Sequence, residues 1–473
     1  MTRLAWTFLR SAGWRRAVLL AGTTALATAL VLVALTMLLL PSQPAEALFS
    51  LVAEPGLRFG TAFATALLVV PLLLMLNQVV RLGTATRERR LAGLRLAGAT
   101  PAEVRRIGAV EVGFPVTVGA ISGPVVFALL RELFGGQRLA GPTGGSYLDM
   151  GSAPALIPTS VTPAWWQVGA VVAVVAAAGI ATGALASRHL VASPLGVSRR
   201  ARPPAPRPWG LLLIGTGLVA LVAAILRAFA APGLRQAVVM LGILLVVLGV
   251  IALAPWVAFR SGQRAARRTS DPATLIAASR LVSDPGPAGR AAAAVGAIGI
   301  VSGSAAVLEL GAVFLGPSGP SGPSGSFVDP FLAISFALVG VALIVVLLVT
   351  AGTLAVHAAE SILDGRRVLA ALVAAGTPVS VLRDSLRREA MLTAMPLSVG
   401  GVLLGVMVTG GVPVISGQQL TFLEGTTLVV PVLIVCAQVI VTVGLTWGAI
   451  RIAIRAVEHR LVLATSPANL RTE

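Results

Sequence analysis

Apolar residues fall in long blocks along this chain, separated by short strips rich in arginine or in glycine and proline. The first block is Ala17–Leu40, and others lie near 59–80, 108–130, 165–187, 209–229, 237–258, 292–315, 331–356, 389–411 and 426–450. About 20 apolar residues in helical form cross the hydrocarbon core of a bilayer. The pattern therefore predicts an all-α integral membrane protein with about ten transmembrane helices. Ala45-Glu46-Ala47 resembles a signal-peptidase site, but the block before it exceeds the roughly 7–15-residue core of a signal peptide. An uncleaved anchor is the expectation.

Two of the polar strips are copies of one another. Arg87–Glu111 (RERRLAGLRLAGATPAEVRRIGAVE) returns at Gly365–Glu389 (GRRVLAALVAAGTPVSVLRDSLRRE), displaced by 278 positions without a gap. The shift lays Arg89 on Arg367, Leu91 on Leu369, Leu94 on Leu372, Gly98 on Gly376, Arg105 on Arg383 and Glu111 on Glu389. Leu91, Leu94 and Gly98 fall at i, i+3, i+7, so a short helix carries one apolar stripe among arginines. Gly98 suits the left-handed position that stops a helix. Thr100-Pro101-Ala102-Glu103 then starts a second one, with Thr as N-cap, Pro at the first position and Glu closing a capping box. Copy two keeps Gly376-Thr377-Pro378, has Ser380 at the third position, and brings its Thr-Pro one residue nearer the glycine. Each copy predicts an amphipathic L-shaped step between two spans.

Composition fits the same picture. With 56% hydrophobic and 11% charged residues, a soluble fold would lack polar surface to cover itself. The net charge is +18, and all 36 basic residues are arginine. With the N-terminus inside, all but Arg58, Arg131, Arg138, Arg227 and Arg235 face the cytoplasm, as the positive-inside rule requires. Both termini and both steps are then cytoplasmic. The arginines cluster beside apolar runs and aromatics are sparse, so nucleic acid is not an expected partner. His189, His357 and His459 read as interfacial residues far apart in sequence, without metal-ligand spacing. The single Cys436 excludes an intrachain disulfide.

The blocks group into two equivalent bundles. Residues 1–187 form the first four-span bundle, with its step at 84–107, and 270–460 the second, with its step at 360–388. Residues 188–269 link them through spans five and six, and 461–473 form a cytoplasmic tail. A four-span repeat keeps its direction, so the bundles are parallel copies, unlike the inverted repeats of many secondary transporters. The outer strips 134–164 and 316–326 are turn-forming and build no large extracellular domain. Inside, Arg260–Arg290 predicts a short helix from Ser270-Asp271-Pro272 to Leu281, an interfacial elbow before span seven. The stretch Ala5–Arg16 plays that part for span one.

The Arg/Glu-rich step, the Leu-x-x-Leu…Gly(-Ala)-Thr-Pro corner and the glutamate opening the next span resemble the FtsX-like permease family. This is the membrane subunit of MacB-type (type VII) ABC systems, here in its ten-span, two-domain form. The resemblance implies that the step is a coupling helix docking on a separate ATPase subunit, which would bind ATP and Mg. It assigns docking to Arg89, Leu91, Leu94, Gly98, Thr100, Pro101 and Arg105. In the second copy it assigns docking to Arg367, Leu369, Leu372, Gly376, Thr377, Pro378 and Arg383. A P-loop needs a lysine against the terminal phosphates, and the chain has none. No cofactor is therefore expected on this chain, and two steps suggest two ATPase copies. MacB-like and bacitracin-type members carry a large outer domain that the short strips 41–58 and 316–330 leave no room for.

The function expected is export, or extraction from a bacterial plasma membrane, of an amphipathic compound such as a peptide antibiotic or lipid. Signalling of force to an extracytoplasmic partner such as a cell-wall hydrolase is the alternative, and secondary transport a further one. Membrane lipid is an expected partner throughout. Glu111 and Glu389 read as structural residues at a span start. Glu309, inside span seven, is the one intramembrane carboxylate with a functional reading. Asn77, Gln78 and Gln438 read as inter-helix hydrogen-bond partners, and Gly119, Gly123, Gly400, Gly401 and Gly405 as close-approach positions. Trp165-Trp166 read as an interfacial pair. No nucleophile–base pair or carboxylate dyad is present, so no chemistry on a substrate is expected.

Overall fold

The computed structural model describes residues 14–42, 48–81, 98, 100–135, 155–191, 205–226, 231–315, 330–415 and 429–466. Their regular elements are helices, joined by short non-helical stretches and one isolated bridge between Leu48 and Ala155. Among the described residues, eight helices are long and apolar enough to cross a membrane, and Trp165–Ala181 and Trp209–Ile225 are shorter apolar helices. The chain is an all-α multi-pass membrane protein. It divides into two compact units, Met1–Arg200 and Ala201–Glu473. Spans five and six thus belong to the second unit.

In the first unit, α1 (Trp14–Leu38) is followed by α2 (Pro55–Leu67) and α3 (Val69–Arg81), which together form span two. The expected single helix breaks at Leu68, three residues before Pro71. Proline has no N–H to give the preceding turn and its ring crowds it. The third span, α4 (Pro101–Phe134), packs between α1 and α5 (Trp165–Val191). Gly119 and Gly123 make the α1–α4 contact possible. A Cβ on Gly119 would lie 1.9 Å from the Thr24 hydroxyl and one on Gly123 2.4 Å from the Thr28 Cβ.

The described residues of the strips after α1 and before α5 join into a small cap. Leu48 and Val52 pack with Ala155 and Ile157 on the cluster of Leu32, Met37 and Phe127. Arg58, 6% exposed, holds the cap by donating to the carbonyls of Val52, Ala53, Leu40 and Pro41 at 2.7–2.9 Å. Arg131 donates likewise to Pro158 (3.2 Å) and to Thr159. Two arginines that break the charge rule are thus occupied by backbone oxygens. Trp165 and Trp166 open α5 largely exposed.

The second unit begins with α6 (Trp209–Ile225) packed on α7 (Pro232–Arg268). The elbow α8 (Pro272–Ser283) is capped by Asp271, whose carboxylate accepts the Thr274 N–H at 2.8 Å. Its buried Leu281 packs on Ala258 of α7 and Ala288 of the next helix. Then come α9 (Pro285–Leu315), α10 (Pro330–Asp364), the short α11 (Arg366–Ala374), α12 (Val379–Ile415) and α13 (Val429–Ala464).

Helices α9 and α12 form the tightest crossing. Cβ atoms on Gly303 and Gly405 would each lie 2.1 Å from a facing carbonyl oxygen, that of Val402 and that of Ile300 respectively. Gly299 and Gly401 meet their neighbours almost as closely, so a Gly-x-x-x-Gly pair on each helix forms the seam. Gly400 does not take part. A Cβ there meets nothing within 4 Å, because it lies about 100° around the helix from Gly401. Gln438 donates to the Ser302 hydroxyl at 2.7 Å, which lies 2.7 Å from that of Thr442, joining α13 to α9. In the first unit Gln78 is buried with its side-chain oxygen unpaired.

Candidate functional site: the two steps

The second step is described whole. Helix α11 stops at Gly376, whose φ is +92°. The Gly376 N–H donates to the Val373 carbonyl and the Thr377 N–H to that of Leu372, each at 2.9 Å. These two bonds close the last turn in a Schellman motif. Pro378 then precedes α12, which leaves along a new axis. In the first step Gly98 has φ +96°, and Thr100 opens α4 through a full capping box. The Thr100 hydroxyl accepts the Glu103 N–H at 3.3 Å, while the Glu103 carboxylate accepts the Thr100 N–H at 2.8 Å. The Thr100 N–H, and the Thr100 hydroxyl that also donates to the carboxylate at 3.0 Å, hold the Glu103 carboxyl below the usual range. Arg89, Leu91 and Leu94 lie outside the described residues, and Pro101 and Arg105 are placed only as residues of α4.

The face of α11 is clear. Leu369 is 0% exposed and Ala370 2%, and α11 rests on α10 and α13. Leu369 therefore anchors the step from below and is not a surface that another chain can touch. Leu372 is half-buried. Arg366, Arg367 and Val368 are exposed, Val368 by 62%, and Leu363 just before the step is exposed as well. Val368 is a candidate contact that sequence reasoning missed. It is adjacent to the buried Leu369, and one residue along a helix turns the side chain by about 100°. Arg383 is half-exposed and pairs with Glu458 on α13 at 3.0 Å, so its charge is engaged inside the unit.

The two matched glutamates each meet cations from other helices. Arg16 on α1, buried to 8% exposure, donates to Glu111 Oε1 at 2.8 Å. It also donates to the carbonyls of Val79 (3.1 Å) and Val80 (3.0 Å), among the last oxygens of α3. One guanidinium thus joins spans one, two and three beside the first step. Glu389, 7% exposed, instead lies 3.4 Å from His357 Nε2 on α10 and 3.7 Å from Arg280 on α8. His357 is turned inward to this carboxylate and is not the interfacial residue that its position near a span end suggests. Under the 278-residue shift it stands where the first copy has Val79. His357 and Glu389 line a cavity of about 20 Å³, room for one water, with Ser361, Thr393 and apolar side chains of α9, α10, α12 and α13. Glu309 belongs to α9, and its side chain lies outside the described residues.

Similarity to a known family falls in the first unit. Residues 61–195 match the FtsX-like permease C-terminal family. That segment of the first unit is similar to an FtsX-like permease domain. The match supports a membrane permease subunit of an ABC-type transporter, in a family that generally works with ABC ATPase subunits. The matched segment takes in span two, the step, and the helices α4 and α5. No curated protein matches the chain.

Proposed function

We propose that this permease couples ATP hydrolysis on separate ATPase subunits to export or membrane extraction of an amphipathic compound, through the two steps. The supporting observation is the construction of α11. Leu369 fixes it to α10 and α13, and Arg366, Arg367 and Val368 stand outward. The Schellman turn at Gly376 joins it to α12 without slack. A push on that face passes directly to α12 and, through the glycine seam, to α9. The charge asymmetry assigns this face to the cytoplasm, where an ATPase would dock. With one step per unit, two ATPase copies are the simplest stoichiometry.

The test is to purify the tagged permease from native membranes under gentle detergent and to assay what comes with it. A Walker-motif subunit at two copies per permease, lost on Val368→Asp while the permease stays inserted, is the expected result. Recovery of the permease without an ATPase, or undiminished ATPase stimulation with Val368→Asp, overturns the coupling reading. Flux that rises with an amphipathic substrate separates transport from force signalling to an outer partner.

A further inference from the structure

We infer that Arg387, Arg451 and Trp447 of the second unit form a binding site for the phosphate headgroup of an anionic phospholipid. The argument starts from the arginines at the start of α12. Arg383 is paired with Glu458 at 3.0 Å, and Arg388 with Asp271 at 2.8 Å. Arg387, between them, faces neither. Its guanidinium carbon lies 5.7 Å from the centre of the Trp447 ring, and its Nε is buried without a hydrogen-bond partner. Arg451, one turn after Trp447 on α13, stacks on the same ring at 3.5 Å. Neither Arg387 nor Arg451 has a carboxylate partner among the described residues. Arg455, one further turn along, is exposed as well.

Two like charges held against one indole repel each other unless an anion lies between or beside them. The ring's quadrupole orients the guanidiniums but leaves their N–H donors open. A guanidinium fork matches the oxygens of a phosphate group. The depth of the site selects the source of that phosphate. Helix α13 starts at Val429, and Trp447 lies roughly 27 Å further along it at 1.5 Å per residue. That is close to the thickness of the hydrocarbon core, so the indole sits at the headgroup level of the arginine-rich end. Arg451 is exposed there, and the apolar Ile452 beside it is 56% exposed, a surface suited to an acyl chain below the headgroup.

The test uses the full-length permease in a neutral detergent, titrated with phosphatidylglycerol or phosphatidylcholine and read by native mass spectrometry. Two interfacial arginines predict a preference for the anionic lipid on the order of tenfold or more. R387Q/R451Q should lose that preference, and R264Q/R268Q, at the end of α7, should keep it. Quenching of Trp447 emission by brominated phosphatidylglycerol, taken as the difference between wild type and W447F, reads the same site without disturbing the arginines. Soluble glycerol phosphate should not compete at the lipid's concentration; effective competition would mark a free-anion site and overturn the lipid assignment. Unchanged preference in R387Q/R451Q, equal loss in R264Q/R268Q, or no W447-dependent quenching would each overturn the proposal.

Discussion

The two copies of the step keep the same glutamate and give it different partners. Glu111 meets an arginine at 2.8 Å, and that arginine also caps the end of α3. Glu389 meets a histidine at 3.4 Å and an arginine at 3.7 Å, beside a cavity with room for one water. The first arrangement is a contact at hydrogen-bond distance, reinforced by two backbone carbonyls. The second is longer and opens onto that cavity. An internal repeat thus preserves where a charge stands without preserving how firmly it is held. The first unit is built as a fixed joint, and the second has room to rearrange.

The sharpest way to break that contrast is to remove one partner at a time. Arg16→Met or Glu111→Gln breaks a buried ion pair by removing one partner and should cost about 3–5 kcal/mol. His357→Gln, which keeps a hydrogen-bonding group at a longer contact, should cost less than about 1 kcal/mol. Thermal unfolding in detergent, followed for each variant, reads both. Equal losses in the two copies would erase the distinction.

The next effect comes from the seams. Gly119→Ala in the first unit and Gly303→Ala in the second place a methyl against backbone or hydroxyl atoms 2.3 Å away or less, and each should destabilise by about 1–3 kcal/mol. Gly400→Ala meets open space and should leave unfolding unchanged. If Gly400→Ala behaved like Gly303→Ala, the register of the α9–α12 crossing given above would be wrong.

The smallest effect distinguishes the corners. Thr100→Ala removes the capping box and should loosen the start of α4 by about 1 kcal/mol. Thr377 closes its corner through its own N–H, so Thr377→Ala should leave hydrogen exchange at the start of α12 unaltered. Acid should mimic the first change. The folded Glu103 carboxyl lies below its unfolded value, so its contribution is full above the unfolded value and fades as pH falls through the folded one. Protection of the Thr100 amide, relative to its intrinsic exchange rate, should therefore fall in acid, below the ordinary carboxylate range, and hold steady around neutral pH.

The corners were legible in the sequence because they are local. A glycine between a periodic helix and Thr-Pro specifies both a positive φ and the next start within a few residues, and Gly98 and Gly376 adopt it. The spans were legible for a similar reason, since length and hydropathy are properties of one segment. What could not be read depends on partners far away in the chain. Gly299 and Gly303 matter only because Gly401 and Gly405 face them from about 100 residues on, and no periodicity records that register. Leu369 looked like a docking residue because an apolar residue among arginines reads the same whether it faces its own bundle or another chain. Arg16 looked like one more basic flank, and nothing nearby in sequence points to Glu111 or to the end of α3. For His357 a signal existed. The histidine stands where the repeat's first copy has valine, at the level of the matched glutamate.

Arg58 carries a consequence for how the first unit reaches its topology. While the chain is being threaded into the bilayer, the carbonyls of Leu40, Pro41, Val52 and Ala53 are not yet gathered around it. At that stage it is a bare positive charge, which is costly to move through hydrocarbon. Once the cap closes, four oxygens surround it and its charge no longer faces water or lipid. The residue therefore opposes the first hairpin during insertion and locks it afterwards. The same guanidinium is an obstacle to crossing and then a bar against return.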